Sequence, residues 1–112
     1  MASTLSDTCT WTGISGNKYG YTVYDPATTT WNDVPGNYIF AHQLSTGRWT
    51  ADYIGETQSF KDRFSNHEKW PCAKRHGATH IHAHVNNGGQ AARQAEESDL
   101  IASNNPPCND QR

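Results

Sequence analysis

The stretch Tyr53-Ile54-Gly55-Glu56-Thr57 decides how this sequence folds. A β-type run, residues 49–54, reaches its end on a glycine there, and a helix-type pattern begins a few residues later. Because glycine tolerates backbone angles that other residues avoid, we expect Gly55 to permit a strand-to-helix turn. The turn then places a tyrosine, and Arg63 of the following helix, at one edge of a sheet.

The segments before this stretch predict further strands. Residues 36–42 contain the apolar run Tyr38-Ile39-Phe40, and a Ser-Thr-Gly turn separates them from residues 49–54, so the two runs predict an antiparallel pair. Residues 8–25 are rich in aromatics and are divided by Ser15-Gly16-Asn17, which predicts a β-hairpin. We assign residues 1–33 to an N-terminal hairpin extension and residues 36–109 to the core.

The segments after it predict two helices and a strand. Phe60, Arg63, Phe64 and His67 are spaced i, i+3, i+4 and i+7, which is typical of one helix face, with Thr57 or Ser59 as its cap. Trp70-Pro71 should interrupt this helix. A strand at 79–85 and a helix at 90–103 follow. We therefore predict one α+β domain over residues 1–112, with a small, mainly antiparallel three-stranded sheet flanked by helices and the N-terminal β-hairpin as an addition.

Length and composition restrict the class of protein. The chain has 112 residues, enough for one core, and 34% of them are hydrophobic. No apolar run approaches the roughly 18 residues that a membrane span needs, and no signal segment is visible, so we expect a cytoplasmic protein with no membrane association. Three widely separated cysteines without a CxxC pair favour reduced thiols over disulfides.

The charge is unevenly distributed. The net charge of -2 argues against a protein that coats nucleic acid in general. Residues 60–76, however, carry five lysines and arginines against two acidic residues, a local net charge of +3. This segment is either a solvated helix face or a patch that contacts phosphate.

Several short motifs together resemble the GIY-YIG endonuclease family. They are Gly36-Asn37-Tyr38, Tyr53-Ile54-Gly55, the pair Arg63 and His67, Glu97 with Leu100-Ile101, and finally Pro106 and Asn109. Each motif is weak alone, but their order and spacing follow the family pattern. The resemblance implies a metal-dependent endonuclease that hydrolyses DNA phosphodiester bonds, with Mg²⁺ or Mn²⁺ as cofactor.

The chemistry of phosphodiester hydrolysis gives these residues roles. Glu97 suits a hard divalent cation, and Arg63 suits the charge of the phosphate. His67 can donate to the phosphate or accept a proton from water. The resemblance implies that one tyrosine activates water and the other positions the water or the phosphate, and we favour Tyr38 as base and Tyr53 as partner.

Each of these residues also has a simpler interpretation, and the family pattern adds supporting positions. Taken alone, Glu97 is typical of an exposed helix residue paired with Arg93, and Arg63 is typical of a surface arginine. His67 alone would interact with a helix dipole, and the two tyrosines would lie at the edge of the core. Gly36, Gly55 and Asn109 would support the site, Asn109 by hydrogen bonding to loop backbone. Glu56 stands where many relatives carry a lysine or a small polar residue, so a second positive charge is not expected there.

The histidines of His80-Ile81-His82-Ala83-His84 allow a different interpretation. Imidazoles in such an array can bind zinc, nickel or copper, two of them together with Cys72 or His76. The alternative is that Ile81, Ala83 and Val85 face the core while the histidines line a hydrated face.

DNA is the expected partner. The candidate nucleic-acid contacts are Lys61, Lys69, Lys74, Arg75, His80 and His82. Because no additional DNA-binding domain is visible, target specificity would come from the N-terminal hairpin, from the shape of the DNA or from a protein partner. Two other functions stay open: a non-catalytic nucleic-acid or protein binding module on the same fold, and a histidine-based metal-binding protein.

Overall fold

The structure, a computed structural model, describes residues 7–109. Five strands and three helices follow one another along the chain. They are β1 (Thr8–Thr12), β2 (Lys18–Tyr24), β3 (Gly36–Gln43), β4 (Trp49–Thr57), α1 (Phe60–Ser65), α2 (Trp70–Arg75), β5 (His80–Val85) and α3 (Gln90–Asn104).

All five strands form one antiparallel sheet in the order β1-β2-β5-β3-β4. Strand β3 lies between β4 and β5, and its Tyr38 is opposite Gly55 on one side and Ala83 on the other. The predicted antiparallel pairing of the two tyrosine-bearing strands is therefore confirmed.

The predicted three-stranded sheet is wrong. The N-terminal hairpin is not an addition to the sheet, because β2 pairs directly with β5 through Thr22–Ala83, Val23–His82 and Tyr24–Ile81. Ile81, His82 and Ala83 are all buried, as expected for a strand in the middle of a sheet that is covered on both faces. The sequence did not predict the central position of β5, because alternating histidines are typical of a strand with one hydrated face.

The stretch Tyr53-Ile54-Gly55 lies within a strand and not at its end. β4 continues to Thr57, so the expected strand-to-helix turn at Gly55 is wrong. The turn comes two residues after the strand, where the Ser59 hydroxyl caps α1 by accepting a hydrogen bond from the Asp62 backbone N–H.

The helix predicted around residues 60–67 is shorter than expected. It ends at Ser65, and a second helix, α2, begins at Trp70. Pro71 stands in the first turn of α2, where the missing N–H of proline costs nothing, so Trp70-Pro71 begins this second helix and does not merely interrupt the first.

The sheet buries a cluster of side chains on each face. One cluster, beneath α3, includes Ile39, Ile54 and Leu100, all fully buried. The other includes Tyr38, Phe40 and Phe60, with Tyr53 and Phe64 packed against it. Because side chains alternate along a strand, Tyr38 and Phe40 lie on the opposite face from Ile39, and this second face carries the candidate site.

Cys72 and Cys108 form a disulfide, so the expectation of reduced thiols is wrong for these two residues. Their separation of 36 residues gave no signal in the sequence, because the C-terminal segment returns to α2 only in the folded chain. Cys9 is free. No helix within residues 7–109 is long and apolar enough to cross a membrane. The cytoplasmic setting stays a prediction.

Candidate active site

Tyr38, Tyr53 and His67 form the centre of the candidate site. Their ring centroids are 6.1 Å apart for the two tyrosines, 5.4 Å for Tyr38 and His67, and 5.2 Å for Tyr53 and His67. The Tyr38 hydroxyl lies 2.6 Å from Nε2 of His67. The sheet register supplies the tyrosines, and the segment just after α1 supplies the histidine.

The backbone around His67 determines which nitrogen of its ring carries the proton. The Lys69 backbone N–H donates a hydrogen bond of 3.0 Å to Nδ1, so Nδ1 is an acceptor. Burial, reinforced by the positive charge of Arg63, lowers the pKa of His67 to about 4, so the ring is neutral near pH 7. The remaining hydrogen is therefore on Nε2, which donates to the Tyr38 oxygen.

Arg63 lies close to both phenols. Burial raises the pKa of Tyr38 and of Tyr53, and the charge of Arg63 opposes that rise in each of them. The guanidinium itself is held by Glu68 through two hydrogen bonds of 2.8 and 3.0 Å. This bond to Arg63 lowers the pKa of Glu68 to about 2. The Arg63 guanidinium, which could bind a phosphate, is thus already paired with the exposed Glu68 carboxylate.

Glu97 is a carboxylate without a partner. It forms no hydrogen bond or ion pair with any residue in the range 7–109. Burial, and then the negative charge of Glu56, raise its pKa to about 7. The charge of Glu97 in turn raises the pKa of Tyr53, so Glu97 on α3 lies within electrostatic range of that tyrosine. A positive charge beside Glu97 would relieve both effects.

Arg93 was not predicted as a site residue. Instead of pairing with Glu97 one turn along α3, it donates from Nε to Glu56 at 2.8 Å, and only 5% of it is exposed. The ion pair therefore holds the positive charge of Arg93 beside Glu56. Arg63 and Arg93 line one open groove of about 470 Å³ between α1 and the start of α3. The i, i+4 spacing of Arg93 and Glu97 gave no indication of a partner on β4.

Gly36 and Gly55 are needed because other groups approach their Cα atoms closely. A Cβ at Gly55 would lie 2.5 Å from the Tyr38 oxygen and 3.0 Å from Cε2 of Tyr53. A Cβ at Gly36 would overlap the His84 carbonyl oxygen and the Phe60 ring. These two glycines let the tyrosines and α1 lie against the strands.

Asn109 fastens the C-terminal segment to the outer edge of β4. Its Oδ1 accepts from the Ile54 N–H at 2.9 Å, and its Nδ2 donates to the Ile54 carbonyl at 2.8 Å. Tyr53 and Gly55 flank the residue that Asn109 holds. The hydrogen bonds are made to a strand, whereas we had expected a loop.

The candidate nucleic-acid contacts differ in exposure. Lys61, Lys74 and Arg75 are exposed, and Lys69 and His80 are half-buried. His82 is fully buried: it accepts a hydrogen bond from the Trp11 indole at 2.9 Å and packs against Trp49. The structure thus keeps His82 away from the tyrosine cluster, on the α3 side of the sheet.

The three histidines of β5 do not converge on one ion. His80 bonds to Thr79, His82 to Trp11, and His84 to Glu96. Glu96 also accepts from the Tyr21 hydroxyl at 2.6 Å, so it is a buried structural carboxylate. Within residues 7–109 the histidine ladder does not form a group of three converging ligands.

An aromatic cavity of about 480 Å³ adjoins His67. Its walls include Trp31, Phe40, Phe64 and Trp70. Trp31 lies in the threonine-rich connection before β3, and Trp70 opens α2. Their sequence context indicated a loop and a helix break, so the sequence did not predict the cavity.

Comparison with protein-family models and with curated proteins gives no match for this chain.

Proposed function

We propose that this protein is a metal-dependent endonuclease of the GIY-YIG kind that hydrolyses DNA phosphodiester bonds. One observation carries the proposal. Residues from two strands, from α1 and from the segment that follows it bring two phenols, an imidazole and a guanidinium into one cluster, with an unpaired carboxylate on α3 within electrostatic range. Together these groups can supply what phosphodiester hydrolysis requires, namely activation of water and stabilisation of the charge on the phosphoryl oxygens.

The residues present fit a divalent cation. Glu97 has a raised pKa and no hydrogen-bond or ion-pair partner within residues 7–109, so its charge is uncompensated. A hard ion such as Mg²⁺ takes few protein carboxylates and completes its shell with water and phosphate oxygens. When bound, such an ion supplies charge stabilisation to the phosphoryl group and acidifies water. Glu97 is the residue that would hold it.

Tyr38 is the proposed general base, and because Tyr38 is 1% exposed, its hydroxyl can reach a water molecule only after the side chains around it move. The His67 Nε2–H donates to the Tyr38 oxygen, and a hydrogen bond to the charged form of a group favours that form. The positive charge of Arg63 acts in the same direction, whereas burial acts against it. In this arrangement His67 positions Tyr38 and does not itself accept a proton, because its Nε2 already carries one.

Arg63 is the proposed phosphate ligand. Its planar fork suits two phosphate oxygens, and it already makes the corresponding pair of bonds to the Glu68 carboxylate. Binding a phosphate therefore requires that Glu68, an exposed residue, give up the guanidinium. Tyr53 lies beside Arg63 and would position the attacking water or the phosphate.

The aromatic cavity favours nucleic acid as the substrate. A base that leaves the stack can pack against aromatic rings, which contributes about 1–3 kcal/mol per base. The exposed Lys61, Lys74 and Arg75 would contact the phosphate backbone. Target choice would come from a protein partner or from the shape of the DNA.

A non-catalytic DNA-binding module is the second candidate function. The engagement of Arg63 by Glu68 favours it, since a cation that stays paired does not stabilise a transition state. Such a module would bind DNA without cutting it.

The two candidates are separated by a cleavage assay on labelled linear, nicked and branched DNA with Mg²⁺, with Mn²⁺ or with a chelator. A nuclease cuts at least one substrate with metal and none with chelator, and Arg63→Gln loses this cleavage. Arg48→Gln is the matched control, because Arg48 is an exposed arginine in the turn before β4, outside the cluster and outside the proposed DNA contacts. DNA binding without cleavage of any substrate would contradict the nuclease and support the module.

A further inference from the structure

Two sulfur atoms and one imidazole converge where α2 meets the C-terminal segment. The Sγ atoms of Cys72 and Cys108 and a ring nitrogen of His76 all lie within 4.8 Å of one another. Cys72 and His76 are four residues apart, so both lie on one face of the helix end. No other group of three histidine, cysteine or carboxylate side chains converges in this way within residues 7–109.

This donor set suits zinc. Zn²⁺ binds thiolate sulfur at about 2.3 Å and imidazole nitrogen at about 2.0 Å, usually with four ligands in tetrahedral geometry. Ligand atoms less than 4.8 Å apart are close enough for one ion to bridge them after small side-chain movements. With three protein ligands, the fourth position is open to water.

We propose that this cluster is a redox-controlled zinc site, in which Cys72, Cys108 and His76 bind one Zn²⁺ once the disulfide is reduced. A dithiol reductant supplies two electrons and two protons, the S–S bond breaks, two thiols form, and the reductant becomes a disulfide. Zn²⁺ then displaces the two thiol protons and forms two Zn–S bonds. In the oxidised chain the sulfurs are bonded to each other and are not available as thiolates.

Burial leaves one side of the site open. Cys108 is 3% exposed, Cys72 is half-buried and His76 is exposed. An ion or a reductant can therefore reach the sulfurs from the side of His76.

The zinc would replace the disulfide as the link between α2 and the C-terminal segment. The Cys108 backbone N–H donates to the Asp52 carbonyl at 3.0 Å, and Asn109 brackets Ile54 through two hydrogen bonds. Either the disulfide or the zinc would hold the C-terminal segment against β4. The segment would therefore stay attached in both oxidising and reducing surroundings. This inference does not depend on the nuclease proposal.

The test uses the full chain, reduced with a dithiol, freed of reductant without air and titrated with Zn²⁺ against a chromophoric chelator. We expect one zinc per reduced chain and none in the oxidised chain. Co²⁺ in place of Zn²⁺ should give thiolate-to-cobalt charge-transfer absorption. His76→Gln keeps both cysteines and alters an exposed residue, so it should fold and bind zinc about tenfold or more weakly.

Two further variants complete the test. Cys9→Ser is the matched control and should bind zinc like the native chain, because Cys9 lies on β1, outside the group. Cys72→Ser combined with Cys108→Ser should bind no zinc at this site. Stoichiometric binding that is unchanged in the oxidised chain or in His76→Gln would overturn the proposal, as would a reduced native chain that binds no zinc.

Discussion

Removing the Tyr38 hydroxyl tests the geometry of the site without assuming its function. Tyr38→Phe keeps the ring and therefore its packing against Phe40 and Phe64, but it removes the 2.6 Å hydrogen bond to His67. Tyr38 is 1% exposed and His67 is 7% exposed, so water cannot readily replace the lost partner. A buried donor without a partner costs about 1–3 kcal/mol, and we expect the free energy of unfolding to fall by about 2 kcal/mol.

The assay is urea denaturation of a double-mutant cycle. His67→Asn is the second variant, because its side-chain oxygen can still accept from the Lys69 N–H while the Nε2–H donor is lost. We expect Tyr38→Phe to cost about 2 kcal/mol in the native chain and much less in the His67→Asn chain. Equal costs in both backgrounds would refute the hydrogen bond between Tyr38 and His67. If Tyr38 is the base, Tyr38→Phe also slows cleavage by about 10²–10⁴-fold.

Three further variants test other parts of the structure. Cys108→Ser in oxidising buffer should lower the free energy of unfolding by about 4 kcal/mol, since the disulfide closes a loop over 36 positions, and a similar loss in Cys9→Ser would contradict this. Burial lowers the pKa of His82 from 6.5 to about 4. Between about pH 4 and pH 6.5 the unfolded chain therefore binds more protons than the folded chain, and the free energy of unfolding falls as the pH falls through this range. From about pH 7.5 to about pH 5, the native chain should lose about 2 kcal/mol more than His82→Asn in urea titrations, and parallel pH profiles would refute the shift. Gly55→Ala should cost about 1–3 kcal/mol in the same measurement, because its Cβ would lie 2.5 Å from the Tyr38 oxygen, and native-like stability would contradict that close approach.

Local sequence pattern predicted most of the elements. The β3–β4 pair follows from an apolar run on each side of a Ser-Thr-Gly turn, and α3 follows from its alanines and its proline stop. The number of strands in the sheet did not follow, because the pairing of β2 with β5 joins residues about 60 positions apart and has no local signal. The disulfide escaped prediction for the same reason.

The candidate site was predictable as a set of residues but not as a set of contacts. The family resemblance grouped His67 with the two tyrosines, and the rings do lie together, although His67 follows α1 and is not part of the predicted helix face. The partner of Arg63 is a residue just beyond the helix, and the partner of Glu56 comes from α3. Ion pairs of this kind depend on how elements pack, which spacing within one element does not reveal.

The cleavage rate of Glu97→Gln tests the central claim most directly. Asp25→Asn is the matched control, because it makes the same carboxylate-to-amide change at an exposed turn where either side chain can accept from the Ala27 N–H. The comparison is made at one DNA concentration, with saturating Mg²⁺ and with protein in excess over DNA. We predict that the native chain and Asp25→Asn cut at equal rates and that Glu97→Gln cuts at least about 10²-fold more slowly. Equal rates for Glu97→Gln and the native chain, or no cutting by the native chain, would contradict the account.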